Sequence, residues 1–175
     1  MRLSKLLLLF FTILLTSACS SVRVSTDYDT SIDFTKYKTF AFYKKGIDKA
    51  PIKNLDKKRI LRALEANLVA KGMSKSSSPD LLISLFTKSR ERININDNRF
   101  NGFWYPWYYT TNPVIVSQHT EGTLFIDLLD AKNKELVWQG VGTGALIMRN
   151  SKEREVRMKE FVNEIMLKYP PGNLQ

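Results

Sequence analysis

Cysteine and histidine each occur only once in this 175-residue chain, at Cys19 and His119. A single cysteine excludes an intramolecular disulfide. One histidine excludes a multi-histidine metal centre and leaves a Cys-His nucleophile only the thiol at Cys19 to work with. A Ser-His-Asp triad is formally open to His119, but no Gly-x-Ser-x-Gly elbow accompanies it. Long apolar runs are also missing. Leu6 to Leu15 is apolar apart from Thr12, about half the roughly 20 residues needed to cross a bilayer. Charge comes in no blocks: the lysines and arginines are scattered, and no nucleic-acid motif organises them.

What is present begins at the amino terminus. Arg2 and Lys5 precede the apolar run, and Leu15-Thr16-Ser17-Ala18 leads directly into Cys19. A basic start, a short apolar stretch and small residues form an export signal. Small residues abutting a cysteine resemble a bacterial lipobox, with Thr16 standing where leucine is usual. The expectation is cleavage after residue 18, leaving Cys19 as the first mature residue with a diacylglyceryl group on sulfur and an acyl chain on the amino group. Each buried methylene contributes about 0.8 kcal/mol, so several chains anchor where one would not. These acyl groups are the only cofactor expected. Ser20 after the cysteine favours, by resemblance to bacterial sorting rules, the outer membrane and its periplasmic face.

Residues 19–25 read as a lipidated tether and 26–172 as a single domain, large enough for its own core. Without Arg2 and Lys5 the mature chain holds 25 basic against 17 acidic residues, a net charge of +8. For an exported chain this excess suits anionic lipid, lipopolysaccharide phosphate or cell-wall carboxylate better than nucleic acid.

Val22-Arg23-Val24 and Thr39-Phe40-Ala41-Phe42-Tyr43 alternate as strands. Asn54 reads as the N-cap of a helix with Leu61, Leu64 and Leu68 on one face, closed by Lys71-Gly72. Leu81 to Thr87 is a nearly continuous apolar strand. Thr123–Leu129 and Leu136–Val141 form a hairpin about the turn Asp130-Ala131-Lys132-Asn133-Lys134. Asn150 with Glu153 predicts a capping box, and Phe161, Val162, Ile165 and Tyr169 an inward stripe ended by Pro170-Pro171-Gly172. The order ββαβββα predicts an α+β two-layer sandwich, a mainly antiparallel sheet covered by two helices. Trp138 is expected to anchor the core beneath them. Gly140-Val141-Gly142-Thr143-Gly144-Ala145 superficially matches a dinucleotide fingerprint but lacks the following βαβ context, so close packing or a strand bend is expected there.

Asp27-Tyr28-Asp29, Asp33-Phe34-Thr35-Lys36-Tyr37-Lys38-Thr39-Phe40-Ala41, Ala70-Lys71-Gly72, Ser78-Pro79-Asp80-Leu81-Leu82 and Glu121-Gly122-Thr123-Leu124 through Asp127 follow in order. Asp130-Ala131-Lys132, Leu136-Val137-Trp138 with Gly140, and Lys168-Tyr169-Pro170-Pro171 complete the set. Together they resemble the bacterial envelope lipoproteins grouped as domain of unknown function 4136, over nearly all of residues 22–172. The resemblance implies a compact secreted lipoprotein domain without an agreed activity, and it carries over no catalytic residues.

One segment, 93–119, departs from this regularity and reads as a loop insert. Within Phe100 to Tyr109 seven of ten residues are aromatic: Phe100, Phe103, Trp104, Tyr105, Trp107, Tyr108 and Tyr109. Such rings stack on sugars, sit in a headgroup layer or supply contacts to a partner protein. Alternatively they fold over the chain's own sheet edge; Asn98, Asn101, Asn112 and Pro113 mark a loop without orienting it. Arg90, Arg92 and Arg99 lie nearby and could accept an anionic glycan or phosphate.

The functional expectation is a membrane-anchored, non-catalytic binding module of the cell envelope. Cys19 is its lipid attachment site, and Arg90, Arg92, Arg99, Phe103, Trp104, Tyr105, Trp107, Tyr108 and Tyr109 form its candidate binding surface. The partners are the membrane and an envelope protein or glycan. The alternative is a hydrolase of cell-wall or lipid material with Asp127 or Glu121 as acid or base.

Overall fold

The computed structural model describes residues 22–96 and 115–172, with only the backbone described for 92–96 and 115–119. Six strands form one mixed sheet: β1 (Arg23–Tyr28), β2 (Thr39–Phe42), β3 (Ser74–Lys75), β4 (Leu81–Asn96), β5 (Ile115–Asp130) and β6 (Leu136–Ala145). A short helix α1 (Lys44–Asp48) follows β2, and two long helices, α2 (Asn54–Ala70) and α3 (Ser151–Met166), complete the fold. The strand order is β1-β6-β5-β4-β2-β3. Neighbours from β1 to β4 are antiparallel, whereas β2 runs parallel to both β4 and β3. The architecture is the α+β sandwich the patterning predicts, with the parallel pair supplied by the crossover through α2.

Alternation along the strands sets the core. Ile83 and Leu85 on β4, Leu124, Ile126 and Leu128 on β5 and Trp138 on β6 turn to one face and are buried. Against them lie Ile60, Leu64 and Leu68 of α2 and Met158, Phe161, Val162 and Ile165 of α3. Trp138 is fully buried and meets Tyr169 edge-on, ring centroids 5.4 Å apart, as an anchor should, although its indole nitrogen has no hydrogen-bond partner among the described residues. A Cβ on Gly140 would come within 2.4 Å of both Ile165 Cγ2 and the Trp138 ring, so β6 carries glycine because α3 lies directly upon it. That is the close packing expected of the glycine-rich stretch.

Helix ends follow local chemistry. Asn150 Oδ1 accepts from the Glu153 N–H at 2.9 Å, while the Glu153 carboxylate accepts from Asn150 Nδ2 at 2.9 Å and from the Arg149 N–H at 2.7 Å, a variant of the capping box whose return bonds go to the cap's side chain and to the residue before it. Gly72 closes α2 in the left-handed conformation, φ +82°. Asn54 is not the N-cap: it is already helical, and Lys53 precedes it in an extended conformation without side-chain capping. Leu61 is only partly buried, and Ile60 and Ala63 take the inward positions beside Leu64 and Leu68.

The family-like aspartates are structural ties. Asp80 accepts from the N–H groups of Lys38 and Thr39 and from Thr39 Oγ1, lashing the start of β2 to the start of β4. Asp33 caps the Phe34–Lys36 turn through the Thr35 N–H at 2.9 Å. Tyr37 donates its hydroxyl to Asp130, the last residue of β5, at 3.0 Å.

Strand pairing reaches further than the apolar pattern. The β4–β5 ladder continues to Asn96 opposite Ile115, so both ends of the expected loop insert are strand. Beyond Arg90 opposite Glu121, neither β2 nor β6 keeps company with the hairpin. Six residue pairs form a two-stranded ribbon extending past the sheet by about 20 Å at 3.3 Å per residue.

Candidate functional site

One end of the sheet gathers the groups of interest. Arg23, which opens β1, pairs with Thr143; Thr143 pairs with Thr123, and Thr123 with Lys88. The chain therefore joins the sheet at the end from which the ribbon leaves. The first turns of α2 and α3 lie at this end too. There Asp56 of α2 accepts from Arg154 of α3 at 2.7 Å and from Arg59 at 2.7 Å. Burial works against the Asp56 charge, but the hydrogen bonds from Arg154 and Arg59 outweigh it and hold the carboxyl below the usual range.

Beneath this ion cluster a cleft of about 630 Å³ opens between the two first turns and strands β4 and β5. Its lining is mainly apolar, with Ile52, Ile60, Leu124, Leu146, Met158 and Phe161 among the walls. Lys53 and Arg154 also line it, and Thr87 stands in its floor. Lys53 is exposed and has no acidic partner among the described residues. The volume falls in the range of about 300–1,000 Å³ typical of small-ligand sites.

On the opposite sheet face Glu121, with its side chain 7% exposed, is held between Arg23 and Arg90; Arg90 approaches it at 2.8 Å. Arg90, a member of the candidate binding surface, is thus also an ion-pair partner of Glu121. Glu121, the alternative acid or base, is therefore held in ion pairs with Arg23 and Arg90. Asp127 is half-buried and accepts from Gln139 Nε2 at 2.7 Å. Burial pushes its carboxyl above the usual range, against the weaker effect of that hydrogen bond. Phe86 and Phe125 meet on this face at a tilt of 57°, ring centroids 5.7 Å apart, with the Lys88 ammonium over both rings.

The other sequence candidates are placed as follows. Arg92 lies in β4 opposite His119, side chain undescribed. Cys19, Arg99, Phe103, Trp104, Tyr105, Trp107, Tyr108 and Tyr109 lie outside the described residues. Among the described residues no group of three His, Cys, Asp or Glu side chains comes together as metal ligands, and no helix is long and apolar enough to cross a membrane. The cleft and the Asp56–Arg154 tie escaped the sequence reading. One signal was available: Arg154 sits in the first turn of a helix, where the macrodipole disfavours a cation, which points to a nearby carboxylate.

A two-layer α+β domain with a one-ended cleft is the class this geometry defines. The model of the family described as Domain of unknown function (DUF4136) matches residues 24–171, and the chain belongs to that family. Among solved structures, a PDZ domain protein from Parabacteroides distasonis is similar at 15% identity with a TM-score of 0.53. The likeness covers 91% of this chain but only 39% of that one, so this chain spans about two fifths of that protein's length. The PelC dodecamer from Paraburkholderia phytofirmans gives a TM-score of 0.49 at 11% identity, over 83% of this chain and 94% of that one. No functionally curated protein matches.

Proposed function

We propose that this chain is a lipoprotein of the bacterial outer membrane, facing the periplasm, and that it works by contact and not by turnover. Cys19 carries the diacylglyceryl and N-acyl groups. The aromatic segment Phe100–Tyr109, with its neighbouring arginines, meets an envelope lipid, glycan or protein surface. The observation that carries this reading is the shared end of the sheet: β1 starts where the β4–β5 ribbon leaves. Cys19 precedes Val22 by three residues, and extended chain covers at most about 3.6 Å per residue, so the anchor stays within about 11 Å of that end. The ribbon reaches about 20 Å past the same end before segment 97–114 begins. An aromatic-rich stretch delivered to that depth suits the headgroup layer and the surfaces beside it.

A photo-crosslinking residue installed at position 105 of the full chain in cells tests this. Adducts with envelope components are expected, and replacing Trp104, Trp107 and Tyr108 by alanine should abolish them while leaving the thermal melt unchanged. An adduct-free protein contradicts the reading. So does turnover of labelled peptidoglycan by the purified chain that disappears in Asp127→Asn.

A further inference from the structure

The cleft beneath the Asp56–Arg154 tie has an apolar interior and a cationic margin. Its walls come from both long helices, from β4 and β5 and from the segment after β6, so it is bounded by the rigid core. Met148 and Met158 contribute flexible, polarisable surface that adapts to an irregular apolar body. The one acid in the lining, Asp56, is neutralised by Arg59 and Arg154. Lys53 stands beside it without an acidic partner among the described residues, so the local balance is positive. An uncharged apolar ligand would leave that cation unanswered, and a small inorganic anion would leave the apolar walls wet.

We propose that this cleft binds one amphiphile with a single anionic head, its apolar body lying over Leu124, Met158 and Phe161 and its head drawn to Lys53 and Arg154. The ligand is a free long-chain carboxylate from the surrounding envelope, not the chain's own acyl group. Val22, where the tether meets the sheet, packs against Gly142 of β6, whereas the cleft is floored by β4 and β5. The site requires no acylation of Cys19, so its test is independent of membrane anchorage.

The experiment uses the full chain carrying Cys19→Ser and the fluorescent fatty acid cis-parinaric acid. Saturable binding of one probe per chain is expected, with palmitate displacing it and hexadecanol doing so about tenfold less well. Thr87→Trp fills the floor of the cleft and should weaken binding about tenfold or more. Lys53→Glu, at an exposed position that leaves the core intact, should do the same while circular dichroism stays unchanged. Absence of saturable binding, equal displacement by hexadecanol, or wild-type affinity in Lys53→Glu would each overturn the proposal. Loss of the site in the acylated wild-type chain would also overturn it, showing that the protein's own acyl group fills the cleft.

Discussion

Asp56 and Asp127 are both carboxylates withdrawn from water, and they are answered differently. Asp56 meets two guanidiniums, Asp127 a single amide. Removing the Asp56 charge leaves Arg59 and Arg154 facing each other, and Asp56→Asn should cost about 2 kcal/mol in urea denaturation at neutral pH. Because folding lowers the Asp56 pKa, its contribution is present above the unfolded carboxylate value near 3.9 and fades as pH falls through the folded value. The penalty of Asp56→Asn should therefore shrink in acid. Asp127 carries the opposite sign: its pKa is raised, so the favourable contribution exists below the unfolded value and is lost as pH rises through the folded one. Asp127→Asn, which keeps an acceptor for Gln139, should equal or exceed the parent in stability at neutral pH. A marked loss there would show that Asp127 has a charged partner. Neither behaviour was legible from the sequence, where Asp127 stands between Ile126 and Leu128 and Asp56 between Leu55 and Lys57. Only the fold brings Arg154 to one and Gln139 to the other.

At the level of elements, α3 lying on β6 is the contact most exposed to small changes. Gly140→Val would drive a side chain into Ile165 and the Trp138 ring, and overpacking of this kind costs about 1–3 kcal/mol. The midpoint of thermal or urea unfolding should fall accordingly; an unchanged midpoint would mean that α3 does not bear on that strand. The start of α3 could be read from the sequence because a capping box is local chemistry, complete within Arg149 to Glu153. The start of α2 could not, because its first turn relies on Asp56 and a distant arginine instead of an N-cap side chain. Leu81 to Thr87 announced a strand because its side chains are mostly apolar, although only Leu81, Ile83 and Leu85 are buried and Phe86 on the other face is exposed; the continuation through Ser89-Arg90-Glu91-Arg92 is polar throughout. Among the described residues that part of the hairpin has no further strand beside it, so a core-facing hydrophobic period is not what sets its length.

At the scale of the molecule, the order of strands and helices was legible while the gathering at one end was not. The cleft is assembled from segments between Pro51 and Phe161, and no window of sequence contains it. The aromatic segment was visible as composition, whereas the pairing of the strands on either side of it, through Asn96 opposite Ile115, joins residues far apart in the chain. Acylation at Cys19 would turn this end toward the bilayer, bringing cleft and ribbon to the lipid surface together. Metabolic labelling with an alkyne palmitate, combined with fractionation of wild type and Cys19→Ser, tests that orientation at its root. The wild-type chain should take up label and sediment with outer membranes, and the serine variant should do neither. An unlabelled wild-type chain, or a serine variant that still sediments with membranes, would contradict it.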